Sequence, residues 1–402
     1  MFVINNQPGQ LIPVKVWLND ISQLEEECLQ QALNLSKLPF AFRHIALMPD
    51  THAGFGMPIG GVLAADNVVI PNAVGVDIGC GMCFAETDIP KTELTKEDLQ
   101  HLVGQIMRNI PTGFNHHKSK QTSQALDSFV KQINAAEFYK PWELVKEIDS
   151  GYYQIGTLGG GNHFIEIQAD ERGMVCVMLH SGSRNFGLKI ARHFNEVAKR
   201  LNEQWQSPVP KQYDLAFLPL DTPEGNAYMV WMDVALQFAM ENRRKMMDIV
   251  MNALQKRRPG VRFSNTINAH HNYAALENHF GREVMVHRKG AIRARQGELG
   301  IIPGAMGTYS YIVEGLGNEE SFHSCSHGAG RTMSRKKAVA TIPVDKTMED
   351  LKQLGVVLGK NKKGDISEES RFAYKDIDFV ISQELDLIRP VKKLMTMAVI
   401  KG

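Results

Sequence analysis

Asp77 and Cys80 stand three residues apart in the run Gly75-Val-Asp-Ile-Gly-Cys-Gly81, so a single turn can aim a carboxylate and a thiol at one point. Carboxylate, thiolate and imidazole together suit Mn²⁺, Zn²⁺ or Fe²⁺ better than Mg²⁺ or Ca²⁺, and a thiolate can bridge two metals. Glycine gathers around titratable side chains in other runs too: Pro49-Asp-Thr-His-Ala-Gly-Phe-Gly56, Gly156-Thr-Leu-Gly-Gly-Gly-Asn-His-Phe164, His180-Ser-Gly-Ser-Arg184 and Ser326-His-Gly-Ala-Gly-Arg331. Glycine lets the backbone approach a ligand closely, and such loops beside titratable groups are what an active site for a bulky anion requires.

Singly, a histidine at a strand end is more often a structural hydrogen-bonder than a ligand. His163 and His180 stand out because Asn162, His163, His180 and Arg184, all able to contact phosphate or metal, recur within one short stretch. His270 and His271 are adjacent, so on an extended segment they face opposite ways and at most one is a direct ligand. An accessible neutral imidazole at His327, beside a metal and phosphate-binding groups, can act as a nucleophile. General acid–base work or metal ligation are its alternatives. Cys80 and Cys83 also spell C-x-x-C, but no second such pair and no thioredoxin-like βαβ pattern accompanies them. The glycine run 159–161 lacks the Gly-Lys-Ser/Thr ending of a Walker A loop.

The elements that must position these groups are legible as periodicities. Helical patterns cover 21–36, 97–109, 124–136, 189–206 and 224–258, the second opened by a capping box of Thr95 with Asp98. Methionines 229, 232, 240, 247 and 251 form a stripe on the last, which reads as core packing. Strand patterns cover 44–48, 61–65, 68–70, 175–180, 284–287, 338–343 and 395–400. They follow no regular βαβ rhythm, and no linker or repeat divides the chain. The expectation is one compact α+β domain over residues 1–402, with mixed sheets and surrounding helices about a deep metal-binding cleft.

With 402 residues, a net charge of +1, 43% hydrophobic and 22% charged residues, the chain has the composition of a folded globular protein and not of a polycation. Basic clusters at 243–245, 256–262, 282–295 and 331–337 are expected to be solvated faces and helix ends. The sequence shows no secretion signal and no apolar run of bilayer length. Five cysteines in a chain this long are no disulfide framework. A soluble, cytoplasmic protein is expected.

In order, Val74-Gly-Val-Asp-Ile-Gly-Cys-Gly81, Gly161-Asn-His-Phe-Ile-Glu166, Leu179-His-Ser-Gly-Ser-Arg184, His270-His-Asn272, Arg288-Lys-Gly-Ala291, Ile302-Pro-Gly-Ala-Met-Gly307, Ser326-His-Gly-Ala-Gly-Arg331 and Ala373-Tyr-Lys-Asp376 resemble the RtcB family of RNA-splicing ligases, from about Pro49 to Lys401-Gly402. The resemblance implies a GTP- and Mn²⁺-dependent ligase that joins RNA 3′-phosphate or 2′,3′-cyclic phosphate ends to 5′-hydroxyl ends. It implies that Asp77, Cys80, His163, His180 and His271 hold two manganese ions, with Cys80 bridging. It implies that His327 takes GMP from GTP and passes it to the RNA 3′-phosphate, so that the 5′-hydroxyl can displace GMP. Asn162, Phe164, Glu166, Tyr374 and Lys401 match positions around the guanine nucleotide, and Arg184, with Asn162, is placed to grip a phosphate. The glycine run reads Gly-Gly-Gly-Asn where many relatives carry a hydroxyl residue, and the role of His52 stays open. So do the natural RNA and the need for an archease-type activator.

Two rivals use the same residues. A metal-dependent phosphodiesterase or nuclease needs no nucleophilic histidine and no nucleotide site. A non-catalytic RNA-binding protein with a structural metal predicts a closed ligand shell.

Overall fold

A run of apolar residues along three neighbouring strands sets the centre of the molecule. In Met174–Ser181, Val175, Val177 and Leu179 pack to one side and Cys176 and Met178 to the other. Gly81–Pro90 and Phe164–Asp170 alternate in the same way and are buried along almost their whole length. Strands buried on both faces must be covered on both, and they are. Helices Lys96–Asn109 and Pro223–Arg257 cover one face, and the segment holding Leu351, Val356 and Ile366 covers the other.

The computed structural model describes residues 1–135, 139–361 and 364–402. Among them are two large sheets. One runs Phe263–His270, Gly81–Pro90, Met174–Ser181, Phe164–Asp170, Ile388–Lys401, Tyr309–Gly315, Leu299–Ile302, with Val357–Gly359 lying parallel to Ile388–Lys401. The other runs Phe2–Ile4, Val14–Val16, Ala41–His52, Ile59–Ala65, Arg282–Lys289, Asn272–His279. The chain passes from the first sheet to the second between Phe263–His270 and Asn272–His279, so His271 sits at the crossover. Gln124–Ala135, Trp142–Gln154 and Arg184–Gln204 pack with Pro223–Arg257 into a helical core. The result is one compact domain of mixed helices and sheets, the expected α+β class.

The helical periodicities hold with shifted ends. The pattern at 21–36 is a 3₁₀ turn, Ile21–Gln23, followed by a helix at Glu26–Leu35, and the one at 189–206 begins five residues earlier, at Arg184. The capping box of Thr95 and Asp98 is formed. Of 124–136, residues 124–135 are helical and the last lies outside the described residues. The strand expected at 338–343 is a correction: Arg335–Thr341 is a helix. Ser334 caps it by accepting from the Lys337 N–H, and Ala338 and Ile342, four apart, pack together on one side. Among the methionines, Met232 and Met247 are buried whereas Met240 is exposed.

The basic clusters need a second correction. Arg243, Arg288 and Lys289 are buried, because each guanidinium or ammonium is taken up by internal acceptors. Arg288 pairs with Glu277 and donates to Tyr273 and to the Phe322 carbonyl, and the Lys289 ammonium meets the carbonyls of Phe55 and Asn72. No helix among the described residues is long and apolar enough to cross a membrane.

Candidate metal and nucleotide site

Sheet register lines up the polar ends of the central strands. Met82 stands opposite His180 and Ala269, His180 opposite Phe164, and Phe164 opposite Lys401, so one row crosses five strands at the edge nearest the crossover. His180 shares the face of Met178 and Cys176 by strand alternation. Cys80 immediately precedes its strand and His163 immediately precedes its own. His271 arrives from the crossover, where its N–H donates to the Cys80 carbonyl at 2.8 Å.

These side chains converge. Cys80 Sγ is 3.4 Å from His163 Nε2 and 3.2 Å from His180 Nε2. His163 Nε2 lies 3.1 Å from Asp77 Oδ2, and His180 Nε2 lies 3.3 Å from His271 Nε2. All five sequence-chosen ligands are thus brought together, with Cys80, His163 and His180 offering ligand atoms within 4.8 Å of one another. His163 Nδ1 contacts the Leu158 carbonyl at 3.0 Å and His180 Nδ1 the Asn162 carbonyl at 3.2 Å. Each Nδ1 therefore carries the proton in the neutral ring, and the Nε2 lone pairs turn inward.

That donor set fits a divalent cation better than it fits itself. Burial holds His180 and His271 well below the usual imidazole range, so protonation does not relieve two facing nitrogens. Burial and the neighbouring Asp77 hold the Cys80 thiol well above its ordinary value. Burial opposes ionisation of Asp77, and it takes positive charge at His163 Nε2, a proton or a cation in its place, to outweigh this and bring the carboxyl down to about 2. His271 Nδ1 is buried with no hydrogen-bond partner. A cation among these atoms would satisfy the lone pairs and draw off the thiol proton.

The loops are pinned from behind by residues that local sequence does not reveal. Buried Arg243, from the helix Pro223–Arg257, donates to the carbonyls of Gly79 and Ser181 at 2.8 and 2.9 Å, tying the Asp77–Cys80 loop to the one after His180. It also meets His270 Nδ1 at 3.2 Å, and His270 reaches the Gly79 carbonyl, so His270 supports the loop while His271 faces the cluster. Asn272 donates to the Asp77 carbonyl at 3.1 Å and accepts from Gly290 N–H at 2.8 Å. A Cβ at Gly182 would lie 2.3 Å from Asp77 Oδ1, which shows how closely that backbone approaches.

His327 stands beside the cluster, its ring centroid 4.8 Å from that of His271. Its Nδ1 is 2.6 Å from Asp50 Oδ2, and its backbone N–H donates to the same oxygen at 3.1 Å. Asp50, wholly buried in Ala41–His52, was not singled out by sequence, although its glycine-rich segment was. With Nδ1–H given to Asp50, Nε2 is left as a free lone pair on a partly exposed ring. His52 does not join the cluster: its Nδ1 turns to the Asp50 carbonyl at 3.0 Å, and burial brings its pKa down to about 4.

A polar cage adjoins at the far end of the row. The Lys401 ammonium is 3.0 Å from Glu369 Oε2, which also accepts from Tyr374 Oη at 2.9 Å, while Arg331 donates to Tyr374 Oη at 2.8 Å. Arg335 donates to the side-chain oxygen of Asn162 at 3.1 Å. Glu166 Oε2 accepts from Gln168 and Thr396, and burial pushes its pKa up to about 7. Glu369, Arg335 and Asp50, like Arg243, are residues of the site that sequence reasoning missed. Arg184 lies against the cluster from outside, donating to Thr157 Oγ1 and the Gly113 carbonyl at 3.2 Å each, with one terminal nitrogen 3.5 Å from His163 Nδ1.

A family profile described as tRNA-splicing ligase RtcB matches residues 31–402. The chain is 40% identical over 408 residues to the RNA-splicing ligase RtcB of Escherichia coli K12, covering 97% of each chain. It is 31% identical to the tRNA-splicing ligase RtcB of Pyrobaculum aerophilum, over 98% of this chain and 96% of that one. It is 32% identical to the tRNA-splicing ligase RtcB of Nanoarchaeum equitans, over 97% and 95%.

Proposed function

The chain belongs to the RtcB family of tRNA-splicing ligases, and from that premise we propose that residues 1–402 form one cytoplasmic catalytic domain that seals RNA 3′-phosphate or 2′,3′-cyclic phosphate ends to 5′-hydroxyl ends at the expense of GTP. The observation that supports this most directly is the Asp50–His327 pair beside the five-ligand cluster, a nucleophile-ready imidazole that the cluster itself does not need.

In this reading Asp77, Cys80, His163, His180 and His271 hold two Mn²⁺ ions, which would neutralise phosphate charge and lower the pKa of an attacking hydroxyl. Asp50 fixes the His327 tautomer so that Nε2 attacks the α-phosphorus of GTP. The N–P bond forms as the bond to pyrophosphate breaks, and Asp50 stabilises the positive charge that builds on the ring. An oxygen of the RNA 3′-phosphate then takes the guanylate from His327, restoring the neutral imidazole. A 2′,3′-cyclic phosphate end must first be opened by water to the 3′-phosphate. The 5′-hydroxyl oxygen attacks the activated 3′-phosphorus, its proton passing to solvent, and GMP departs. Because a bare 3′-phosphate is a poor electrophile, converting its oxygen into a phosphoanhydride supplies the leaving group. Arg184 and Asn162 orient phosphate oxygens at the cluster. Phe164, Glu166, Tyr374 and Lys401 receive the guanine nucleotide, with Glu369 holding the last two in place.

The test is intact mass after incubation with GTP and Mn²⁺, with ATP and His327→Ala as controls. The expected result is an adduct of one GMP with GTP alone, absent from His327→Ala at unchanged metal content. Adduct formation by His327→Ala would overturn the nucleophile. Hydrolysis of a cyclic phosphate without any adduct would favour the phosphodiesterase reading.

A further inference from the structure

Away from that cluster, a second group of ligand atoms meets at the edge of the six-stranded sheet. His279 ends the strand Asn272–His279, Glu319 opens the 3₁₀ turn Glu319–Ser321, and His323 follows two residues after that turn. One ligand atom from each lies within 4.8 Å of the others. Glu319 reaches both rings, with Oε2 3.6 Å from His279 Nδ1 and Oε1 3.2 Å from His323 Nε2. The two ring centroids are 4.7 Å apart.

The tautomer of His279 marks this as a built arrangement. Its Nε2 is 3.2 Å from Glu277 Oε2, a carboxylate already fixed by Arg288, so Nε2 carries the proton and donates it. Nδ1 is then a lone pair, buried on a ring 1% exposed, with no hydrogen-bond partner, and it faces Glu319. Carboxylate, imidazole and an inward lone pair in that order are how proteins orient a histidine toward a metal. The turn that carries the third ligand has an unusual backbone, with Phe322 and His323 consecutive in the left-handed region at φ 51° and 49°. The loop is held there by the Arg288 guanidinium on the Phe322 carbonyl at 2.9 Å and by His323 N–H on the Asn318 carbonyl at 3.0 Å. That conformation is what turns the His323 ring back onto His279.

We infer that His279 Nδ1, His323 Nε2 and the Glu319 carboxylate form a second metal site, a two-histidine, one-carboxylate set suited to Zn²⁺. Two imidazoles and a carboxylate without thiolate rank Zn²⁺ well above Mg²⁺ or Mn²⁺. Glu319 is half exposed, so the ion enters from solvent and keeps water on its open side. The site clamps the turn 318–323 to the outer strand. The strand Ser324–Ser326 that follows delivers His327, so the clamp braces the segment carrying the proposed nucleophile.

The test is zinc content per chain by elemental analysis after dialysis against buffered micromolar Zn²⁺, for the wild-type chain, Glu319→Gln and His323→Asn. Glu319→Gln changes one surface carboxylate, and asparagine tolerates the left-handed conformation at 323, so both variants keep the main cluster and the fold, checked by circular dichroism. The expected result is one equivalent of zinc less in each variant than in the wild-type chain. Equal zinc in all three would overturn the site and leave the trio as a hydrogen-bonded ion pair.

Discussion

Between His327 and Asp50 a single short contact decides which ring nitrogen is free. Were Asp50 to become Asn, its amide could donate to Nδ1, and the proton would move to Nε2, the atom that must attack. Asp50→Asn is therefore expected to slow GMP adduct formation by roughly 10²- to 10⁴-fold, the span associated with a lost acid–base partner, while metal content stays unchanged. Time-resolved intact mass checks this, and an adduct rate equal to the wild-type rate would refute the role given to Asp50. Sequence pointed to the glycine-rich segment around Asp50 but not to the residue, because its partner lies 277 positions away. Asp77, Cys80, His163, His180, His271 and His327 were legible because each sits in a short run whose residue types carry the chemistry themselves. Glu369 and Arg243 were not, since they act only through partners brought near by the fold.

Glu166 also makes a claim at the scale of one residue. Its buried carboxyl titrates at about 7 against an ordinary 4.5. Below about pH 4.5 both folded and unfolded chains hold the proton. Between 4.5 and about 7 only the folded chain does, so stability falls as pH rises through that window, and the loss is complete above it. At roughly 1.4 kcal/mol for each factor of ten in proton affinity, the loss is about 3 kcal/mol. Glu166→Gln keeps the acceptor for Thr396 and removes the titration. Denaturant melts between pH 5 and 8 are expected to show the wild-type chain losing stability relative to Glu166→Gln as pH rises. Parallel curves would show that Glu166 is ionised throughout. If Glu166 receives guanine as proposed, the ionised form is the one that accepts its N–H groups, and bound nucleotide is expected to lower this pKa.

At the scale of elements, the site is a consequence of strand order. Three antiparallel strands put His180 level with Phe164 and Met82, and the turns at their ends carry Asp77, Cys80 and His163. Gly182 lies in one such turn with a backbone φ outside the left-handed region, so Gly182→Ala tests space alone. The added methyl meets the Asp77 carboxylate head on, and the carboxylate must swing away. Metal affinity is expected to fall about ten- to a hundredfold, the usual effect of disturbing a ligand's support, as read by equilibrium dialysis with Mn²⁺. Unchanged affinity would show that Asp77 is not a ligand. Helical periodicity placed the helices beneath these strands well, since amphipathic spacing is a local signal. Strand pairing was not legible, because register depends on neighbours far apart in sequence. The misread segment 338–343 shows the same limit from the other side: a short apolar run has no period, and the cap at Ser334 that decides the matter lies outside it.

Over the whole molecule, the cluster spans the seam between two sheets. His180 belongs to the larger sheet and Cys80 and His163 immediately precede strands of it, while His271 sits where the chain crosses to the smaller one, which also supplies Asp50. Composition and a net charge of +1 gave the class of molecule but not this meeting of sheets, and a mean charge cannot distinguish a solvated arginine from Arg243, which donates to Asn268, Gly79 and Ser181, all far from it or from one another in sequence. A metal held across the seam as proposed would couple the sheets thermodynamically. At a free Mn²⁺ concentration about 100 times the dissociation constant, binding to the folded chain alone contributes about 2.7 kcal/mol. Calorimetry of the metal-free chain and of the chain with Mn²⁺ is therefore expected to show one transition that moves upward as a unit. Two transitions, of which the metal moves only one, would mean that the sheets unfold separately and that the ligands on one side of the seam suffice. In the same experiment His271→Ala should shrink the Mn²⁺-induced rise, because it removes the ligand at the crossover from one sheet to the other.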